Sequence, residues 1–272
     1  MVDARKQEEK EFHDILRNGA FGQRWSPELE ETIQGNPLWA NMKYYCVERK
    51  SRQLVLDWFS DNCRGKRVLD FCCGNGDDSF VIAKNGASEV IGIDLSDISI
   101  QNCRERAISE GVEHKTSFHE MDAEELSFDD NYFDVITEYG VLHHLDLGKA
   151  YLELGRVLKP DGRCICVETL GHNPIIHLYR KATPALRTEW EVEHILRRKD
   201  IEMAGKFFHK VKILGLFHLF TLAAVPFRSS MVFKPLLSFL EAIDGVVLRC
   251  PFVKWQAWQV VFTLSQPKSG VN

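Results

Sequence analysis

Acidic and imidazole side chains recur in this sequence just after short apolar runs. The run VLDF carries Asp70 and leads into CCGNGDD, residues 72–78. The run VIGID ends on Asp94, 24 residues after Asp70. TSFHEMD ends on Asp122, next to Ala123. FDVITEY holds Glu138 and Tyr139 and is followed by His143 and His144. RCICVET holds Glu168, with His172 beyond it. A glycine-containing turn between a strand and a helix brings backbone N–H groups and a helix N-terminus to a ligand. Gly74 and Gly76 leave room there, where a Cβ would obstruct. Asp94, with Leu95 after it, can accept from both hydroxyls of a ribose. Asp122 can accept from an adenine amino group, with the Ala123 N–H beside it. Any one of these aspartates serves equally well as a turn or helix cap. Three in order, each after a strand-like run, describe one nucleotide-shaped site.

The turn departs from the dinucleotide form G-x-G-x-x-G. Its three positions hold Cys72, Gly74 and Asp77, and Asp77 and Asp78 would meet a pyrophosphate with the wrong charge. Acidic neighbours suit a cofactor that carries a cationic sulfonium and an ammonium instead. A neutral imidazole accepts a proton near pH 7, so His143 is the favoured general base and His144 the second candidate. Glu168 can orient a histidine or bind an amine. Both histidines can equally cap the next helix or fill core. His143, His144, Glu168 and His172, with His194, could form a His/carboxylate metal site. Their spacing is not diagnostic, and no metal is expected. Arg180, Lys181, Arg187 and Arg197-Arg198-Lys199 form either an anion-binding cluster or a solvated surface.

Those side chains need a frame. The sequence predicts strands at RVLDF, SEVIGID, TSFHEMD, FDVITEY and RCICVET. Between them it predicts helices from Asp78 to Lys84 and from Ile98 to Glu110, the latter capped by Ser96 or Asp97. Another covers HHLDLGKAYLELGRVL and stops at the turn Lys159-Pro160-Asp161-Gly162. Such alternation implies a parallel, doubly wound sheet. Residues 1–60 read as helical with a break at Gly35-Asn36-Pro37, and Leu54, Val55, Trp58 and Phe59 share one helical face. After Leu170 the pattern gives a helix from Asp200 to Phe207, a sixth strand near His209 to Ile213, and a last strand at QVVFTLS. Over 231–249, polar positions 234, 238, 241, 244 and 249 fall on one helical face. Val232, Phe233, Leu236, Leu237, Leu240, Ile243 and Val247 fall on the other. The expected fold is α/β: a Rossmann-like, doubly wound seven-stranded sheet with a helical N-terminal segment and helical lid insertions at 171–207 and 214–256. The expected organisation is one continuous domain. Residues 1–60 form a helical cap, 61–170 a cofactor-binding core, and 171–272 the substrate lid plus the last strands.

Composition narrows the function. A chain of 272 residues that is 44% hydrophobic can bury a large core. A net charge of −5 with no strongly basic half argues against nucleic acid as the partner. Eight cysteines without a CxxC pair read as reduced thiols in a cytoplasmic protein. The charged start MVDARKQEEKEF has no apolar stretch of the kind that makes a secretory signal. The apolar run Ile213 to Phe227 is shorter than the roughly 20 residues a bilayer demands and includes His218 and Pro226. It reads as a buried lid helix or one lying in a membrane interface, which makes 213–249 a candidate for peripheral membrane contact.

Taken together, VLDFCCGNG, GIDLS, MDAEELSFDDNYFDVI, GVLHHL and RVLKPDG resemble the class I S-adenosylmethionine-dependent methyltransferases, in the broad group called methyltransferase type 11. The resemblance covers about residues 66–170. It implies S-adenosylmethionine as cofactor and S-adenosylhomocysteine as product. On the matching positions it implies cofactor contacts from Asp70, Cys72, Gly74, Gly76, Asp94, Leu95, Asp122, Ala123 and Glu138. The departure is Cys72, where the family usually has glycine, so the turn is expected to adjust locally. ETLGHNPIIHLYRKATPALRT resembles a bacterial subgroup that methylates small molecules or glycoconjugates. Family members close the site with an N-terminal segment, so Tyr44 and Tyr45 are candidates to pack over the cofactor, or are ordinary core aromatics. The resulting expectation is methylation of a small, possibly hydrophobic acceptor, at a hydroxyl of a lipid, sugar or secondary metabolite, by a monomer or homodimer. Two alternatives stand beside it: a protein or RNA methyltransferase, and a binding module that keeps the fold without catalysis.

Overall fold

A computed structural model describes residues 4–17, 30 and 37–270. Seven strands form one sheet: β1 (Arg67–Phe71), β2 (Glu89–Asp94), β3 (Thr116–Glu120), β4 (Phe133–Tyr139), β5 (Leu158–Thr169), β6 (Phe208–Phe217) and β7 (Gln259–Pro267). Their spatial order is β3-β2-β1-β4-β5-β7-β6. The first five run parallel, and β7 lies antiparallel between β5 and β6. The order reverses between β1 and β4, which opens a crevice above the strands' C-terminal ends, where ligands bind in open α/β sheets.

Alternation along the strands explains the two-sided core. In β1, Val68 faces a cluster with Val55, Phe59, Phe80 and Ile82, while Leu69 and Phe71 face Tyr151, Leu154 and Ile136. Helices cover both faces: α1 (Ala4–Arg17), α2 (Arg49–Asn62), α3 (Asp77–Lys84), α4 (Asp97–Ser109) and α5 (Leu147–Val157). Ser96, not Asp97, caps α4 by accepting from the Ser99 N–H at 3.1 Å. Asp146 caps α5, leaving His143 and His144 in a separate 3-10 turn, Leu142–His144, ahead of the helix. The sequence had merged these into one helix. The Lys159–Gly162 turn is absorbed into β5 as a bulge, because the pairing with β4 jumps from Phe133↔Leu158 to Val135↔Arg163.

Beyond β5 come α6 (Pro174–Ala182), α7 (Glu189–Glu193) and α8 (Arg198–Met203), and after β6 comes α9 (Phe233–Val247). Residues 37–47 and 221–227 are 3-10 helices. Gly35 and Asn36 of the expected N-terminal break lie outside the described residues, and Pro37 opens the 3-10 helix.

The expected lid helix over 213–227 is corrected. Residues 213–217 continue β6, pairing Ile213 with Phe262, Leu216 with Val260 and Phe217 with Gln259. A short, nearly continuous apolar run cannot be told from a helix by periodicity, and this one ends the half-buried edge strand. His218 then breaks the strand at φ 68°. The insertion expected at 214–256 therefore begins only after that residue.

Candidate active site

Two adjoining cavities open over the crevice. The larger encloses about 610 Å³ and reaches from Asp70 and Cys72 after β1 to Tyr139 and Gly140 after β4 and out to α6. The smaller, about 100 Å³, is lined by Asp94, Leu95, Met121, Asp122 and Ala123. Cys72, Tyr139, Gly140, His13, Arg17 and His144 border both.

At the smaller cavity, the turn after β1 is tied to the end of β2. The Cys73 N–H donates to Ile93 O at 2.7 Å, and the Gly74 N–H donates to Asp94 Oδ2 at 2.8 Å. These ties hold Cys72 at φ 56°, in the left-handed region. The turn does not adjust to the missing glycine; the cysteine takes glycine's conformation, at a typical cost of about 1–2 kcal/mol. Gly76 is needed for packing as well as for its φ of 79°, since a Cβ there would meet Phe80 at 2.9 Å and Cys103 Sγ at 3.0 Å. Asp94 Oδ1 also accepts from the Ser96 N–H at 2.9 Å. A carboxylate offers about four lone-pair sites, so two remain for a ribose. Asp122 accepts from the Glu124 N–H at 2.9 Å and pairs with Lys6 at 2.5 Å. The acidic lining from Asp70, Asp77, Asp78, Asp94 and Asp122 suits a cationic cofactor. Asp70 itself accepts from the Ser79 N–H at 3.0 Å and Oγ at 2.6 Å, and burial with Asp78 nearby pushes its pKa up to about 7.

The larger cavity holds the imidazoles. Nδ1 of His143 lies 2.8 Å from Glu168 Oε2, and Glu168 Oε1 accepts from the Leu142 N–H at 2.6 Å. Glu168 therefore fixes both the ring and the turn that carries it. His143 is buried in the cavity wall, with Nε2 making no hydrogen bond among the described residues. Glu138 lies under the wall, fully buried; burial and the Glu168 carboxylate push its pKa well above the usual range. Both effects disfavour the charged form of Glu138. Its Oε1 has no hydrogen-bond partner among the described residues.

His144 points to α1 rather than to Glu168. Its Nδ1 lies 3.0 Å from Glu9 Oε2, and the Glu9 bond raises its pKa although burial pulls the other way. Burial lowers that of His13, whose Nε2 lies 3.5 Å from the same Glu9 oxygen. Glu9, His13 and His144 are the one group with metal-ligand spacing among the described residues. The grouping with His172 and His194, weighed from the sequence only as a possibility, does not assemble: His172 accepts from the Arg198 N–H at 2.9 Å, and His194 stacks on Trp190 at 3.5 Å.

Of the basic cluster, Arg180 and Arg187 turn inward. Both are buried in the cavity wall around Glu191, and each Nε lacks a hydrogen-bond partner among the described residues. Lys181, Arg197, Arg198 and Lys199 are exposed. Tyr44 and Tyr45 line the cavity, Tyr44 against Tyr179 and Tyr45 against Trp258. Gly74, Gly76, Glu138 and Glu168 stand behind the walls, whereas Asp70, Cys72, Leu95 and Ala123 form them. Sequence reasoning placed a helical cap here but gave α1 no site residue: Arg5, Lys6, Glu9, His13 and Arg17 border the smaller cavity, and Lys10 donates to Leu95 O at 3.1 Å. Nothing in a stretch as polar as ARKQEEKEFHDILR marks which charges face inward.

A family model described as a methyltransferase domain matches residues 62–209, more than half the chain. This chain belongs to the class I S-adenosylmethionine-dependent methyltransferases. Its cofactor is S-adenosylmethionine. Among curated relatives, a demethylmenaquinone methyltransferase of Staphylococcus aureus is 38% identical over 109 residues, which is 39% of this chain and 44% of that protein. One from Lactiplantibacillus plantarum is 36% identical over 105 residues, 38% of this chain and 44% of that protein. The matched stretch is thus less than half the length of these relatives. Among solved structures, a geranyl diphosphate C-methyltransferase from Streptomyces coelicolor shares the fold with a TM-score of 0.61 at 15% identity, covering 97% of this chain and 98% of that one. The seven-stranded methyltransferase fold expected from the sequence is the observed one.

Proposed function

We propose that this methyltransferase acts on a hydroxyl of a small, largely apolar molecule of lipid, sugar or secondary-metabolite type, with His143 as general base. The observation that carries the reading is the His143–Glu168 pair in the wall of an apolar cavity of about 610 Å³. S-adenosylmethionine supplies an electrophilic methyl group on sulfur. The chain's own residues align the acceptor, exclude water and take its proton. Glu168 accepts the Nδ1–H of His143, which leaves Nε2 as the lone-pair nitrogen. The acceptor's hydroxyl proton would pass to Nε2 as its oxygen takes the methyl group and the methyl–sulfur bond breaks, the sulfur leaving as the neutral thioether of S-adenosylhomocysteine. Glu168 stabilises the resulting imidazolium, and the burial that raises the pKa of Glu138 disfavours a second negative charge beside it. His144 holds α1 in place.

For the cofactor, we assign the ribose to Asp94 with Leu95, and the adenine to Asp122 with Ala123. The methionine end goes to the turn at Cys72, Gly74 and Gly76, with Asp70 bracing the turn, Glu138 behind it and Tyr44 above. Residues 61–170 would then serve the cofactor, with 1–60 and 171–272 covering the acceptor. Arg180 and Arg187 suit an acceptor with an anionic group. Eight free thiols support a cytoplasmic site of action.

Carbon methylation is a second reading, favoured by relatives named for demethylmenaquinone. A ring hydroxyl deprotonated by His143 can react at oxygen or at ring carbon. The test is transfer of labelled methyl from S-adenosylmethionine into a lysate of the source cell, separated into protein, nucleic acid, aqueous and organic pools. Label in the organic pool supports the proposal, and NMR of that product separates O–CH₃ from C–CH₃. Label confined to protein or nucleic acid overturns it.

A further inference from the structure

Helix α9 packs Phe233 and Leu237 inward yet leaves other large apolar side chains outside. Its two carboxylates face the protein: Glu241 is buried in a pair with Arg49, and Asp244 accepts from the N–H groups of Leu219, Phe220 and Thr221 at 3.0, 2.7 and 3.2 Å. The sequence placed positions 241 and 244 on a polar, outward face, and the structure reverses that. The residues turned to solvent at one helical spacing are Pro235, Phe239, Ala242, Val246 and Arg249. Phe239 is 63% exposed and Val246 69%; beside the helix, Met231 is 98% and Phe252 90% exposed. Phe220 and Phe227, at the ends of the 3-10 helix packed on α9, are exposed as well. So many exposed large apolar side chains in one segment are not a solvent surface.

The charges say what covers it. Glu241 and Asp244 are the only carboxylates between residues 220 and 256, and both are withdrawn. The exposed charges at the two ends of α9 are Lys234 and Arg249, neither with an acidic partner among the described residues. A second copy of the chain docked on this face would bring the same cations and no carboxylate from this segment to meet them. An anionic lipid surface offers both an apolar layer for the rings and phosphates for the cations. At 15 residues α9 lies along such a surface, and no described helix is long and apolar enough to cross one.

We infer that the outer face of α9, with the flanking Phe220, Phe227, Met231 and Phe252, docks the protein on an anionic lipid bilayer. The reverse side of the same segment supplies Leu219, Leu222 and Ala223 to the large cavity. Docking therefore sets the acceptor cavity directly behind the lipid surface. This does not depend on the acceptor atom or on His143, and vesicle binding is read without turnover.

The experiment is flotation of the full chain with vesicles of phosphatidylcholine alone and of phosphatidylcholine mixed with phosphatidylglycerol. The wild type should float with the mixed vesicles at about tenfold or greater affinity than with the neutral ones, and lose that advantage in high salt. The pair Phe239→Glu/Val246→Glu should abolish flotation. The pair Lys234→Gln/Arg249→Gln should remove only the preference for anionic lipid. S-adenosylhomocysteine binding and thermal unfolding report that each variant is folded. Wild type that stays unbound with mixed vesicles, or variants that bind like wild type, overturn the inference. So does a wild-type dimer that Phe239→Glu/Val246→Glu converts to monomer without any vesicle binding, since the face would then belong to a second copy.

Discussion

The two cavities are built in contrasting ways. On its sheet side the smaller is held by strand ends and backbone: Asp94 and Asp122 sit just where β2 and β3 stop, Asp94 braced by two main-chain N–H groups and Asp122 by one, with α1 closing the outer side. The larger is held by side chains from segments far apart in the chain, with α1, residues 37–47, α6 and the 221–227 turn all contributing wall. A site fixed by sheet register tolerates little change and serves one cofactor. A site walled by helices from several insertions can be reshaped without disturbing the sheet.

If that contrast holds, damage at the two ends separates into turnover and affinity. The largest effect is expected from His143→Ala, which should cut turnover by about 10²–10⁴-fold while calorimetry finds S-adenosylhomocysteine affinity little changed. A mutant with full activity would remove His143 as base. Asp94→Ala should do the reverse, weakening S-adenosylhomocysteine by about 1.5–3 kcal/mol for each charge-assisted bond lost. Unchanged affinity would break the ribose assignment. Cys72→Gly should relieve the left-handed strain and raise stability by about 1 kcal/mol, read as a higher urea midpoint, while Cys72→Ala should not.

The smallest effect concerns the His144–Glu9 pair that docks α1. The folded pKa of His144 is raised, so its contribution is full below the ordinary histidine value and is lost as pH rises through the raised one. The stability gap between wild type and His144→Gln should therefore shrink as pH climbs above about 6.5. His13, lowered by burial and by the His144 charge, works in the opposite sense and would itself shift when His144 is lost, so the comparison is made with His13→Gln in both proteins. A gap that widens with pH would contradict the pairing.

The first five strands were legible because each is a short apolar run closed by a turn, and their parallel order follows from the helices between them. Asp94 was legible for the same reason, as the first polar residue past the core, and Asp122 as the carboxylate that closes the third run. Leu214 to Phe217 misled because they lie half-buried at the end of the edge strand β6, in an apolar run that carries no helical or alternating signature. Glu241 and Asp244 misled because amphipathic reasoning sends carboxylates outward, whereas Arg49 and three N–H groups satisfy them inside. The arginines of α6 and the following loop could be read as a cluster, but only packing tells that Arg180 and Arg187 turn inward while Lys181 does not.

Helix α1 borders both cavities at once, with Lys6 on Asp122 and His13 beside His144. On the assignments proposed above, this one helix would cover both the nucleotide and the acceptor. Ion pairs from Arg5, Lys6 and Lys10 tie it to carboxylates at the sheet edge, so added salt should weaken its hold, and S-adenosylhomocysteine should dissociate faster as ionic strength rises.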